Sequence, residues 1–250
     1  MFHARAFGSD PAHVEIAFDA GERARTVTAV LSACVVDEQG HALAEDAAWD
    51  WTLNQRLQAL IAVRLASGDP TVELHAPCTQ CGEAMALGLD LNALAGAPAA
   101  ARFAWRDARG AELTLRLPRG RDLQRWEHDG VQSHEALAAS LIEAVNGQPM
   151  QAGALPDAAW LPALDDAFEA HDPLTALRLQ TACPACGHDN AVACDLEAVL
   201  LAGLARAQSA LLDEVLRLAS ALHWSEQQIV ALPRWRRAHY LRRLDAGGWA

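Results

Sequence analysis

Cys78-Thr-Gln-Cys81-Gly82 and Cys183-Pro-Ala-Cys186-Gly187 are two copies of one short unit, C-x-x-C-G, set 105 positions apart. The likeness continues past the cysteines at the same offset. Asp90-Leu91 matches Asp195-Leu196, Leu74 matches Leu179, and Val72 corresponds to Leu177. Each copy reads as strand, knuckle, strand, Asp-Leu, which is half of a zinc ribbon repeated within one chain. Two thiolates three positions apart can reach one tetrahedral ion. Glycine after the second cysteine permits a positive φ, so that backbone N–H groups turn toward sulfur. Two such knuckles facing each other close a shell of four thiolates and leave no position for water. Cys78, Cys81, Cys183 and Cys186 are therefore expected to hold a structural Zn2+, not a catalytic one. If one ion takes all four, residues 78 and 183 meet and the metal staples the two halves of the chain. Chelation is then expected to loosen the whole fold.

The same cysteines admit other readings. Cys-Pro-x-Cys also occurs in disulfide exchangers, but those place the first cysteine at a helix N-terminus, and here strands are expected on both sides. The four thiols can serve two sites, each completed by His75, His188 or Cys194, although histidines near knuckles are more often exposed bystanders. Cys34 and Cys194 read as small buried hydrophobes. Nothing at residues 1–9 resembles a secretion signal, so a disulfide framework is not expected.

Outward from the knuckles, His13–Phe18 alternates as a strand would. Residues 25–36 are rich in β-branched side chains without a clear period. Leu53, Leu57, Leu60, Ile61 and Leu65 form one apolar stripe and predict a helix over 52–66, ended by Gly68-Asp69-Pro70. Strands are expected at 71–75 and 85–91, then a flexible stretch at 95–100 and a hairpin pairing 102–106 with 111–117. Helices follow at 121–128 and 134–146. Residues 147–157 carry two glycines and two prolines and form the best linker. A helix around 157–170 and a strand at 174–180 lead to the second knuckle. Leu204, Gln208, Leu211, Leu212, Val215, Ala219 and Leu222 keep helical spacing, with Gln208 the one polar member. His223-Trp224 interrupts this helix. Ser225 and Gln228 form a capping box for a short helix, and Pro233 opens a last one. The fold class expected is α+β: small antiparallel β elements with a repeated zinc-ribbon knuckle, and a helical C-terminal part ending in an αα-hairpin. Residues 1–150 form a mixed part with the first knuckle, residues 151–250 carry the second knuckle and the helices, and zinc joins them.

Composition narrows the function. The hydrophobic content of 52% suits a globular chain. A net charge of −12 argues against an undirected grip on nucleic acid or anionic membrane. No run of about 18 apolar residues is present, so no membrane span is expected. The sequence contains no lysine, which excludes a P-loop lysine, a Schiff base and a lysine base. No G-x-S-x-G, H-E-x-x-H or G-x-G-x-x-G pattern occurs, and neither a small-molecule substrate nor an enzymatic role is expected. His223 near Glu226 reads as capping or packing. Asp165-Asp166 near His171-Asp172 reads as a solvated acidic face. Arg234, Arg236, Arg237, Arg242 and Arg243, around Trp235, Ala238, Leu241 and Leu244, suit a protein interface or pairing with the chain's own acids better than nucleic acid. Arg119, Arg121 and Arg125 around Trp126 form a smaller group of the same kind.

Two stretches carry a resemblance. Leu115-Arg-Leu-Pro-Arg-Gly-Arg-Asp-Leu-Gln-Arg-Trp126 resembles the "LRLPTGxDxxxW" segment of proteins encoded among tail and baseplate genes of contractile phages and phage-like injection systems. Residues 211–226, followed by 229–237 and Tyr240-Leu241, are similar to the "LLxEVHxLAxxYHWSExxILxLPxxRRxxYL" segment of such proteins, related loosely to the T-even baseplate hub assembly group. Leu216 stands where histidine is usual and Leu222 where tyrosine is usual. The likeness covers the final forty residues and the middle segment, and hardly touches the first seventy. It implies a non-enzymatic baseplate component or assembly factor whose partners are other tail proteins. Such a chain is made in the cytoplasm of a bacterial host, with incorporation into a phage-like particle left open. The alternatives from other classes are a zinc-ribbon nucleic-acid-binding regulator and a C-x-x-C redox protein.

Overall fold

The computed structural model describes residues 2–18, 21–44, 46–131, 133–151 and 156–247. Strand β1 (His3–Ala4) comes first, then helix α1 (Arg23–Cys34), which runs directly into β2 (Val35–Val36), the antiparallel partner of β1. The β-branched stretch is thus helical. Thr26, Val27, Thr28, Val30 and Leu31 are all buried, and burial on nearly every side both overrides the weak local preference and erases the expected period. The expected strand at 13–18 does not form. Pro11–His13 is a 3-10 turn, and Gln208 donates its side-chain amide to the carbonyls of His13, Val14 and Ile16. The one polar member of the C-terminal stripe thereby takes the place of a strand partner for this segment.

A short helix, α2 (Ala47–Asp50), precedes α3 (Leu53–Ala66), which starts on a capping box from Thr52 and Gln55. The single apolar stripe expected for α3 is in fact a helix buried almost all round, because Asn54, Arg56, Gln58 and Arg64 are buried as well. Each finds polar partners. Gln58 donates to Leu94 O and accepts from Gly96 N–H, while Asn54 accepts from Ala99 N–H and donates to Asp172. Side-chain amides on α3 therefore stitch down the 95–100 stretch expected to be flexible.

Hairpin β3 (Thr71–Pro77) and β4 (Ala84–Asp90) leads into α4 (Leu91–Leu94). Strands β5 (Arg102–Arg106) and β6 (Glu112–Arg116) pair as expected. Next come α5 (Gly120–Asp129) and α6 (His134–Leu141). The helix expected over 134–146 stops at Leu141, and β7 (Ile142–Val145) joins β6 on one side and β8 (Gln148–Pro149) on the other. Asn146 and Gly147 both have positive φ, the requirement of a two-residue hairpin turn. Part of the expected linker is therefore a β-hairpin, and its residues 152–155 lie outside the described residues. Helix α7 (Leu161–His171) covers this four-stranded sheet, with Leu164 packed among Leu113, Leu115 and Ile142.

The second hairpin, β9 (Arg178–Ala182) with β10 (Asp189–Ala193), begins later than the expected residue 174 because Asp172–Thr175 is a hydrogen-bonded turn. The long helix α8 (Leu196–Leu222) ends at His223, whose φ of 56° makes the left-handed cap. Helices α9 (Glu226–Val230), with its capping box intact, and α10 (Arg234–Asp245) pack on the distal part of α8 through Leu211, Val215, Leu218, Ile229 and Leu241. Leu212 faces outward, and Leu218 takes the buried place in the stripe. The architecture is α+β.

The main core takes Val27, Leu31, Leu60, Ile61 and Leu91 from one end of the chain and Leu174, Leu196, Leu200 and Leu204 from the other. Apolar burial thus joins the chain's ends independently of the cysteines. At Gly203 the two central helices touch: a Cβ there would lie 1.3 Å from Nη1 of Arg64. Arg64 is buried and held by Asp69 at 2.5 Å, so it has little room to yield. Gly203→Ala is expected to cost about 1–3 kcal/mol, as overpacking does, read from the midpoint of urea denaturation. A midpoint equal to wild type would show that Arg64 swings out freely.

The 115–126 segment has a physical account. Leu115 and Leu117 are buried, and Asp122 caps α5 through the Arg119 N–H while binding Arg116 bidentately at 2.5 and 2.9 Å. Burial pushes the Asp122 carboxyl up. The Arg116 guanidinium, the Arg119 N–H and Arg125 outweigh it and hold the pKa below its ordinary 3.8. A carboxyl lowered by folding stabilises the native state above its unfolded pKa, and that contribution fades as pH falls through the native value. Asp122→Asn is expected to cost about 2–4 kcal/mol at neutral pH and to flatten the loss of stability below about pH 4. Acid denaturation curves of the two proteins that run parallel would remove this role.

Candidate metal centre

The two knuckles are built alike. In the first, Cys78 N–H donates to Glu83 O and Gly82 N–H to Cys78 O; in the second, Cys183 N–H donates to His188 O and Gly187 N–H to Cys183 O. Gly82 and Gly187 have φ of 76° and 74°, the left-handed turn for which glycine is needed. The repeated Asp-Leu also has a reason. Asp90 and Asp195 accept from backbone N–H groups to start α4 and α8, while Leu91 and Leu196 plug into the main core. Each hairpin is thus aimed by the helix that follows it.

The hairpins face each other across a small core of Met85, Leu87, Leu74, Leu179 and Val192. All four sulfurs lie within 4.8 Å of one another. Cys78 and Cys186 are 3.7 Å apart, as are Cys81 and Cys183. Four sulfurs at about 2.3 Å from a central ion stand about 3.8 Å apart, and a disulfide requires about 2.05 Å. This geometry can hold a metal ion, and a set of four thiols at this spacing is compatible with zinc. Cys78 and Cys183 are each 3% exposed, whereas Cys81 and Cys186 are exposed. The centre therefore has a buried side and a solvent side.

Backbone N–H groups of Cys81 and Gln80 lower the Cys78 thiol to about 6. The Glu83 N–H favours a thiolate at Cys81, but sharing hydrogen bonds with Cys186 and the other thiols pushes it up to about 12. Backbone N–H groups thus favour a thiolate at Cys78, while protons shared among the sulfurs favour a thiol at Cys81. A divalent ion replaces those shared protons, so binding releases protons and weakens in acid.

Asn190, which lies outside the C-x-x-C-G motif, is central to the arrangement. It is 2% exposed, accepts from the Thr79 N–H and hydroxyl, and donates toward Cys78 Sγ. Its one signal in the sequence is the position one repeat away, where methionine stands.

The other sequence candidates go elsewhere. His75 is exposed and pairs with Glu73, and the His188 side chain is exposed. Cys194 packs in the main core. Cys34 is fully buried against His13, and burial pushes its thiol up to about 12. Asp165 pairs with exposed His134, while Asp172 is buried on Asn54. Among the described residues, the four cysteines form the one group of three or more His, Cys, Asp or Glu able to share an ion. The C-terminal arginines are less free than their spacing suggests. Arg237 is buried on Glu214 and on main-chain carbonyls, Arg234 holds Ser67 O, and Arg236 lies over Tyr240.

The chain matches the family described as T4 bacteriophage base plate protein over residues 14–201. It belongs to that family. The base plate match takes in both knuckles and the 115–126 segment and ends inside α8. It therefore includes most of the N-terminal region where the sequence likeness is sparse, and it leaves out the C-terminal stretch that resembles tail proteins most. No curated protein and no solved structure matches the chain. No helix among the described residues is long and apolar enough to cross a membrane.

Proposed function

We propose that this base plate family protein is a non-enzymatic structural or assembly component of a contractile phage tail or phage-like injection system, stabilised by one zinc ion on Cys78, Cys81, Cys183 and Cys186. The family match over most of the chain carries the assembly role, and the closed set of four sulfurs supports a structural metal. In this reading the metal clamps the 1–150 part to the 151–250 part at a zinc ribbon assembled from two distant hairpins. The redox alternative is disfavoured because each Cys-x-x-Cys lies in a β-turn between paired strands, away from any helix N-terminus.

The working surface in this proposal is the helical C-terminal end, where α8 and α10 form an αα-hairpin. Trp235 is 70% exposed there. Arg242 and Arg243 are exposed and have no side-chain partner among the described residues. An exposed indole and two exposed guanidiniums on one helix suit a protein partner carrying carboxylates. The nucleic-acid alternative loses most of its arginines to internal contacts. Co-expression of the whole tail gene cluster and affinity purification of this chain tests the role. Recovery with tail or baseplate proteins is expected, in the host cytoplasm or in the particle; recovery with none of them would overturn it.

A further inference from the structure

The two halves of the repeat are not equivalent, and they differ in a coordinated way. At the shared offset, Asn190 corresponds to Met85 and Thr79 corresponds to Pro184. Asn190 Oδ1 accepts from both the N–H and the hydroxyl of Thr79 at 2.9 Å. Its Nδ2 donates to His188 O at 2.8 Å, with Cys78 Sγ at 3.6 Å and Met85 Sδ at 3.7 Å. At the positions equivalent by the repeat, Pro184 has no N–H to offer, and the Met85 side chain has no acceptor oxygen to receive one. The polar pair thus ties β10 to the turn of the first knuckle, and the apolar pair stands at the equivalent positions of the repeat.

We infer that Asn190 is a metal-independent latch that positions the four cysteines. One buried amide is anchored on its own knuckle through His188 and reaches across to the opposite knuckle through Thr79 and Cys78. Each of these contacts joins two protein groups and takes no ion as a partner, so in this proposal the latch draws the two knuckles together before metal binds. The ion is then bound by a site whose ordering cost is already met, through the side where Cys81 and Cys186 are exposed. An amide donor to a ligating sulfur also fixes the ligand's orientation, a role whose loss typically weakens metal binding 10–100-fold.

This inference rests on the metal reading of the cysteines, and the test separates the two. Wild type, Asn190→Ala and Asn190→Asp are purified, stripped and reloaded with zinc or cobalt, with affinity read by competition against a chromogenic chelator. Both variants are expected to bind zinc about 10–100-fold more weakly while keeping one ion per chain and the thiolate-to-cobalt charge-transfer band. Aspartate keeps the acceptor for Thr79 but cannot donate to sulfur, and sets a carboxylate beside a thiolate. It is expected to be at least as weak as alanine. In the metal-free proteins, the Thr79 amide is expected to be protected from hydrogen exchange in wild type and in Asn190→Asp, and unprotected in Asn190→Ala. Unchanged zinc affinity in Asn190→Ala, with Thr79 protection intact, overturns the latch. Failure of wild type to bind any ion overturns the metal reading instead, and Thr79 exchange still decides whether the latch exists.

Discussion

Stripping the metal from the native protein with a strong chelator is expected to lower its thermal midpoint by about 10 °C, since an ion present at about a thousand times its dissociation constant contributes about 4 kcal/mol, and each kcal/mol moves a chain of this size by about 2–4 °C. Metal analysis before treatment should give one zinc per chain. The loss is expected to be uneven. The hairpin core of Met85, Leu87 and Cys183 is a smaller cluster, bridged by half-buried Leu74 and Leu179 to the main core, where Leu60, Leu91, Leu200 and Leu204 already bind the chain's ends together. Hydrogen exchange should therefore accelerate most in β3, β4, β9 and β10 and least in α3. This revises the expectation that chelation loosens the whole fold, because cysteine spacing reveals the metal closure and not the apolar one. Cys78→Ser or Cys183→Ser is expected to reproduce the effect even with zinc in excess. Cys81→Ser, on the solvent side, should retain weak binding in which water completes the shell. A midpoint indifferent to chelator, with no zinc and four reactive thiols, would refute the structural-metal proposal.

The second large effect is expected at Arg56. Its side chain is fully buried, with Nη1 on Thr28 Oγ1 at 3.0 Å and Ala48 O at 2.8 Å, and Nη2 on Ala24 O at 2.7 Å. It also lies over the Trp49 ring. Burial lowers its pKa to about 10, with Glu197 pulling the other way, so it stays charged at neutral pH. Removing it relieves the desolvation of a guanidinium, but strands the Ala48 carbonyl and leaves buried Glu197 without its strongest nearby counter-charge. The second contribution dominates because buried acceptors lose a charged donor, while Glu197 keeps Arg23 as its ion-pair partner at 4.0 Å. Arg56→Met is expected to cost about 3 kcal/mol, measured as a shift in urea midpoint with unchanged slope.

Gly120 provides an internal check on that junction. A Cβ there would lie 2.4 Å from Arg56 Nη1 and 3.0 Å from the Trp49 carbonyl. Gly120→Ala is therefore expected to destabilise on its own, and part of its penalty should vanish in the Arg56→Met background. Full additivity of the two changes would mean that the pair does not share this contact.

Much of this protein is legible in its amino-acid sequence. Four cysteines with matched flanks specify two like hairpins, because a knuckle is a local motif whose turn, glycine and thiols lie within six residues. The capping box at Ser225, the hairpin at 102–116 and the long C-terminal helix are equally local. Asn146-Gly147 is a hairpin signal that the helical pattern around it conceals. The strand expected at 13–18 does not form because alternation reports which side chains are buried and not where the carbonyls bond.

What the chain alone determines, then, is the repeat, the donor set and the punctuation of its elements, since these depend on neighbours in sequence. Tertiary structure alone decides that the β-branched stretch 25–36 is largely helical, because burial on every side outweighs its propensity. It decides that Arg56 and Arg64 are interior residues, because glycines far along the chain open space for them. It also decides that the two halves of the repeat are joined unequally. Asn190 reaches Thr79 across 111 positions, and a contact over that distance depends on how the two hairpins are placed in space, which no local pattern encodes.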